Sequence, residues 1–177
     1  MTAPRLRATP LAAFERDGLK AALRKAGLPT DDVDQDGHLF WRFETPNDVP
    51  VGFGGLEIYN SGLGIHDVTP VDFSGLGISG RDASLQIFGR DALLRSIVII
   101  PPLRRQGFGA AIVESIEQEA RLLGCRAIYL LTTEPVFFAR QGYSSCKRDD
   151  MPEAVAASDQ FKQQAAEQTE TMVKNLD

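Results

Sequence analysis

Cysteine and histidine are nearly absent: the 177 residues contain two of each. Cys125 and Cys146 stand in no CxxC or other metal-ligand spacing, and two isolated thiols fit a reducing cytoplasm. His38 and His66 are too few for a histidine-rich metal site, so no metal is expected. An excess of basic residues is also missing. Lys and Arg number 19 against 24 Asp and Glu, giving a net charge of -5 and a pI near 5.1. Nucleic acid is therefore excluded as the main partner, because phosphate binding needs a basic face. No apolar run approaches the ~20 residues of a membrane span, and Met1-Thr2-Ala3-Pro4-Arg5 has no apolar signal region. What remains is a soluble, cytoplasmic chain with 43% hydrophobic residues, read as a single domain over 1–177.

The pattern of elements is mixed. Arg5 to Ala8 is a candidate first strand. Phe14 to Ala26 is predicted helical, with Leu19, Ala22, Leu23 and Ala26 on one face and Gly27 and Pro29 as its stop. Thr30 to Gly37 is polar and acidic, and is predicted to be a loop. His38 to Glu44 and Val49 to Tyr59 are predicted strands joined by the turn Thr45-Pro46-Asn47-Asp48. Gly52, Gly54 and Gly55 within the second strand suggest a bulge or the close approach of a ligand. Residues 60–84 have poor periodicity and are read as an insertion between two strands, acting either as a bland surface excursion or as a lid or dimer contact.

The richest stretch follows. Ile97 to Ile100 is a short β-branched run suited to a buried strand, and Pro101-Pro102 ends it. Arg104-Arg105-Gln106-Gly107-Phe108-Gly109 then opens a helix whose apolar stripe is Ile112, Val113, Ile116, Ala120 and Leu123. Glu114, Glu117, Gln118 and Arg121 lie outside that stripe, and Glu117 can pair with Arg121. Gly124 ends the helix and Cys125 to Leu131 forms the next strand, which completes a βαβ unit with parallel strands. A short helix is expected at Val136 to Gln141, a strand at Tyr143 to Lys147, a helix at Pro152 to Gln163 and a closing strand at Thr171 to Leu176.

Glycines that let backbone N–H groups converge, beside two arginines and a helix start, make a pyrophosphate cradle. A dinucleotide fold is one reading of Gly107-Phe108-Gly109. Against it, the third small position is Ile112, and six residues separate the strand from the first glycine, whereas the dinucleotide turn follows its strand directly. The stretch instead resembles the R-x-x-G-x-G/A loop of the Gcn5-related N-acetyltransferase (GNAT) superfamily, with Arg104, Gly107 and Gly109 at the motif positions. The resemblance extends over Ala26 to Thr30, Val51 to Tyr59, Ala92 to Gly109, and Tyr129 to Thr133 with Phe137 to Tyr143. Within the superfamily the chain is most similar to arsenic-resistance N-acetyltransferases, and more weakly to bacterial N-acetylglutamate synthases.

The resemblance implies an α/β fold: a central mixed, mostly antiparallel sheet with a splayed parallel strand pair and flanking helices. It implies acetyl-CoA as cofactor and a small amine or amino-acid-like acceptor, and homodimers are common in the superfamily. Backbone groups of Ile97, Val98 and Ile99 would bind the pantetheine arm. Arg104, Arg105, Gln106, Gly107, Phe108, Gly109 and Ala110 would hold the pyrophosphate. Glu57 is the first choice for deprotonating the amine, with Gln86 in its place if the insertion shifts the register. Arg95 would grip an acceptor carboxylate in the bidentate manner of arginine, beside Ser96, Thr132 and Thr133. The alternative for Arg95 is an internal salt bridge to Glu57 or Glu134, and Thr132 and Thr133 could equally cap the short helix.

The family's usual general acid is a tyrosine four residues before the glycine that ends the short helix. Here that position is Phe138, which can pack against the cofactor but cannot donate a proton. Tyr143 is expected in the core with its hydroxyl at the surface. Two further functions stay open. One is an acetyl-CoA-binding regulatory module without turnover, and the other is an enzyme like the N-acetylglutamate synthases.

Overall fold

Among the described residues, seven strands form one sheet in the order β1-β2-β3-β4-β5-β7-β6. The computed structural model describes residues 4–35, 37–60, 90–163 and 168–176. The strands are β1 (Arg7–Pro10), β2 (His38–Glu44), β3 (Pro50–Asn60), β4 (Arg90–Ile99), β5 (Cys125–Thr132), β6 (Ser144–Ser145) and β7 (Glu170–Asn175). The helices are α1 (Arg16–Lys25), α2 (Phe108–Leu122), α3 (Pro135–Arg140), α4 (Glu153–Ala156) and α5 (Asp159–Gln163). All neighbouring strands run antiparallel except β4 and β5, which are parallel and joined through α2. This is the mixed α/β architecture expected. Among the described residues, no helix is long and apolar enough to cross a membrane. Most of the segment read as an insertion, and Gln86 with it, lies outside the described residues.

Two apolar layers cover the sheet. On one side α2 lays Ile112, Val113, Ile116 and Ala120 against Trp41, Leu56, Ile58, Leu94, Ile128 and Leu130. On the other, Leu19 and Leu23 of α1 meet Val33, Phe40 and Val98. Each fully buried leucine contributes about 1.5–3 kcal/mol, which holds α1 in place although the helix has just ten residues.

The glycines of β3 explain how α2 comes so close. A Cβ on Gly54 would lie 2.5 Å from Cδ1 of Ile116, and one on Gly55 would overlap the Phe40 ring. The close approach expected there is made by the protein's own helix and ring. The bulge expected in β3 at its glycines lies instead on the partner strand β4. Gly55 faces Arg95 and Phe53 faces Val98, so Ser96 and Ile97 together oppose Gly54. Ser96 sits at φ 57, in the left-handed region, and the extra residue bends β4 at that point.

Four expectations are corrected. The first helix begins at Arg16, because Ala13–Glu15 forms a 3-10 turn. Pro152 to Gln163 is two short helices, split at Ser158, whose Oγ accepts from the Phe161 N–H at 3.3 Å and so caps α5. Glu117, placed on the outer face of its helix by periodicity, is buried: Lys174 Nζ of β7 reaches its Oε2 at 2.7 Å, with Arg121 at 4.0 Å. Tyr143 is buried too, its ring edge-on to Phe138 at 5.6 Å and under Lys174 Nζ at 5.6 Å. Its hydroxyl is buried as well, not at the surface, and that burial and the charge of Glu117 push its phenol pKa up.

Candidate active site

The parallel pairing of β4 with β5 ends at Leu93 opposite Tyr129. Beyond it the strands part, because the bulge at Ser96 turns β4 away while β5 continues to Thr132 beside β7. The parting opens a cleft of about 710 Å³, in the range of small-molecule sites. Ile97, Val98 and Ile99 form one wall, and their backbone on the β5 side has no strand partner in the register.

At one end of the cleft stand Arg104, Arg105, Gly107, Gly109 and Ala110. Pro101–Leu103 forms a 3-10 turn that redirects the chain out of β4. Arg105 at φ 63 and Gly107 at φ 83 are both left-handed. Gly107 is the N-cap of α2 and supplies no capping side chain, which leaves the first-turn N–H groups for an anion. A Cβ on Gly109 would press on Phe137 at 3.3 Å, a tight contact that glycine avoids. These features fit a pyrophosphate-bearing cofactor. Gln106 and Phe108 do not line the cleft: the amide of Gln106 donates to Pro102 O at 3.0 Å, and Phe108 packs on the core.

At the other end are Arg95, Ser96, Thr132, Thr133 and Glu134, with Leu28 from the loop after α1 and Gln160 from α5. Phe137 and Phe138 of α3 close the wall between the two ends. Thr132 does cap locally, its Oγ1 accepting from the Glu134 N–H at 2.8 Å. The four residues expected to face an acceptor therefore share one end of the cleft. Gln160 and Thr169 join them without any sequence signal, since loop and short-helix positions carry no period to read, whereas Leu28 falls within Ala26 to Thr30, a segment that carries the resemblance.

Behind that end lies a buried polar cluster. Arg95 donates through Nη2 to Asp32 Oδ1 at 2.5 Å, through Nη1 to Glu57 Oε1, and through Nε to Ser96 Oγ at 3.3 Å. The internal salt bridge named as the alternative is thus present, with Glu57 as foreseen and Asp32 in the place given to Glu134, which is exposed. A bidentate grip on an acceptor would require one of these carboxylates to let go. Tyr59 donates its hydroxyl to Glu57 Oε2. His38 places Nε2 3.4 Å from Glu57 Oε1 and Nδ1 2.9 Å from the Asp32 carbonyl. Glu57 itself is 4% exposed and stands one side chain behind the cleft wall.

The electrostatics follow from burial set against pairing. Burial alone would raise the pKa of Asp32, but the hydrogen bond and charge of Arg95 outweigh it and hold the carboxyl below its usual range. Burial would likewise lower that of Arg95, and the two carboxylates overcome it, so the guanidinium pKa is raised. For His38 burial wins over the pull of Glu57, and the imidazole pKa is lowered. Burial, then the charge of Glu57, pushes the Tyr59 phenol up. Among the described residues no group of three or more His, Cys, Asp or Glu could hold a metal ion.

Comparison with known proteins agrees with this layout. The acetyltransferase (GNAT) family model matches residues 6–146. No curated protein matches the chain. Among solved structures, an acetyltransferase of the GNAT family from Staphylococcus aureus Mu50 superposes with a TM-score of 0.64 at 13% identity, covering 98% of this chain and 100% of that one. N-acetylglutamate synthase from Neisseria gonorrhoeae, complexed with coenzyme A and N-acetyl-glutamate, gives 0.65 at 13% identity; the match covers 99% of this chain and 36% of that one. A Mycobacterium tuberculosis protein in complex with CoA gives 0.63 at 19% identity, covering 97% and 99%. At such identities the likeness carries the fold.

Proposed function

The chain belongs to the acetyltransferase (GNAT) family, and on that premise we propose that it acetylates the amine of a small amino-acid-like acceptor with acetyl-CoA in the cytoplasm, as one domain over 1–177. The observation that carries this reading is the parting of β4 from β5 beyond Leu93, which opens a cleft that takes in the uncapped start of α2. Acetyl-CoA supplies an activated acetyl thioester. The backbone of Ile97, Val98 and Ile99 that β5 leaves without a strand partner would hold its pantetheine arm, and a strand N–H there would polarise its carbonyl. The loop from Arg104 to Ala110 would hold its pyrophosphate, with charge from Arg104 and Arg105.

On the acceptor side, Arg95, Ser96, Thr132 and Thr133 would orient the molecule. Because Asp32 and Glu57 already engage the guanidinium, Arg95 would meet an acceptor anion through a remaining N–H of Nη2 rather than as a fork. Glu57 would take the amine proton, and its place behind the cleft wall calls for a water to carry it. The finer reading, an arsenic-containing or phosphinate-type amino acid as acceptor, is supported by the resemblance to arsenic-resistance N-acetyltransferases.

A regulatory module that binds acetyl-CoA without turnover is favoured by one feature, the phenyl ring of Phe138 in the cleft wall where a tyrosine would donate a proton. Calorimetry with acetyl-CoA, followed by thiol release across a panel of amino acids and their arsenic and phosphinate analogues, separates the two. Release with one acceptor class supports the enzyme and names its substrate. Binding with no release from any acceptor overturns it.

A further inference from the structure

Neither neutral tautomer of His38 can donate to both of the acceptors that its ring nitrogens face. Its Nδ1 lies 2.9 Å from the Asp32 carbonyl and 3.3 Å from Arg95 Nη1. A carbonyl can only accept, so the shorter contact favours Nδ1 as the N–H, with Arg95 Nη1 directing its hydrogen to Glu57 Oε1 instead. Nε2 of a neutral ring then has a lone pair, and it faces Glu57 Oε1 at 3.4 Å. A carboxylate oxygen also has only lone pairs to offer, and two acceptors repel unless a proton lies between them.

The charges lead to the same place. Two carboxylates, Asp32 and Glu57, are set against one guanidinium, Arg95, which leaves one negative charge in a cluster whose members are all buried. The other groups facing it do not remove that charge. Tyr59 donates a neutral hydroxyl to Glu57, and Arg16 of α1 lies across the Phe40 ring at 5.9 Å and gives its Nη1 to the Val33 carbonyl.

We propose that His38 and Glu57 act as one proton acceptor, taking up a single proton between Nε2 and Oε1. A proton arriving from the acceptor amine is then held by the pair, with Nδ1 fixed by the Asp32 carbonyl and Glu57 fixed by Arg95 and Tyr59. His38 is a positioning and proton-sharing residue behind Glu57. The use made of the proton rests on the transfer reaction proposed above, but its uptake does not.

The test is nitrogen-15 NMR of the imidazole in the full chain carrying His66→Gln, which leaves His38 as the one histidine. Nδ1 is expected to remain protonated throughout, while Nε2 passes from lone-pair to protonated character in one step on the acid side of an ordinary imidazole, about 6.5. Glu57→Gln is expected to move that step to lower pH still, because Asp32 is then the one carboxylate left to oppose burial. A neutral ring protonated at Nε2 instead, a ring that takes up no proton at Nε2 before the chain unfolds, or a step indifferent to Glu57→Gln overturns the proposal. In the enzyme, His38→Gln is expected to lower kcat by about tenfold to a hundredfold and to shift its acid limb, with the acceptor KM kept. An unchanged pH profile overturns the role in transfer. If the wild type acetylates nothing while Nε2 titrates as described, the transfer reading fails and the proton-sharing pair stands.

Discussion

Arg95 Nη2 lies 2.5 Å from Asp32 Oδ1, across 63 residues of chain and with both side chains buried. The pair ties the loop after α1 to the bulged strand that forms the cleft wall. Removing the guanidinium would leave Asp32 and Glu57 buried together without a cation, so Arg95→Ala is expected to cost about 3–5 kcal/mol. Asp32→Asn keeps a hydrogen-bond acceptor and leaves Glu57 on the arginine, so its cost is smaller, about 1–3 kcal/mol. Urea unfolding of the two variants against wild type measures the difference. Equal costs would show that Asp32 alone carries the pairing.

The lowered pKa of Asp32 gives the pair a pH signature. A carboxyl whose folded pKa is below its unfolded value stabilises fully above the unfolded value, about 3.9. That contribution is lost as pH falls from there through the folded pKa. Below about pH 4, wild-type stability is therefore expected to fall more steeply than that of Asp32→Asn. Unfolding midpoints taken from pH 6 down to about pH 2.5 check the slope, and parallel curves would refute it.

Much of this arrangement is legible in the sequence itself. The β2–β3 hairpin is legible in the turn residues between two strand-like stretches, and the βαβ unit in apolar runs on either side of a helix of period 3.6. Arg95 announced itself, since an arginine between Leu94 and Ile97 must find an anion, and Glu57 was named as one candidate. Asp32 was not legible. It stands in an acidic run whose members look alike, and only Val33, anchored against Leu19 and Phe40, draws that turn inward. Glu117 was misread for a related reason. Helical periodicity assigns charged residues to water, and the lysine that compensates this one comes from a strand 57 residues later. Pairing across such separations leaves no local pattern.

That distant lysine gives the third prediction. Lys174 Nζ holds Glu117 Oε2 at 2.7 Å and the Gln141 carbonyl at 2.7 Å, joining α2, β7 and the end of α3. Lys174→Met strands a buried carboxylate whose other basic neighbour, Arg121, is 4.0 Å away and half-exposed, and is expected to cost about 3–5 kcal/mol. Adding Glu117→Gln should recover more than half of that loss, because the stranded charge is then gone. A double-mutant cycle by thermal or urea unfolding measures the coupling. Additive losses would mean that the ion pair does not hold these elements together.

The start of α2 allows cofactor binding and stability to be separated. Gly107 sits at φ 83 with open space around it, its nearest neighbour for an added Cβ being Pro4 at 3.7 Å. Gly107→Ala therefore brings backbone strain without a clash, and is expected to cost about 1–2 kcal/mol. Relief of that strain would turn the first-turn N–H groups of α2 away from a shared anion, so coenzyme A affinity should drop by about tenfold or more. Gly109→Ala has the opposite profile. Its backbone needs no left-handed conformation, but the new methyl meets Phe137 at 3.3 Å and narrows the cleft there. Its stability should stay within about 1 kcal/mol of wild type while coenzyme A affinity falls as far as in Gly107→Ala. Calorimetric titration with coenzyme A, beside urea unfolding of each variant, distinguishes them. Unchanged affinity in both would remove the helix start from the cofactor site.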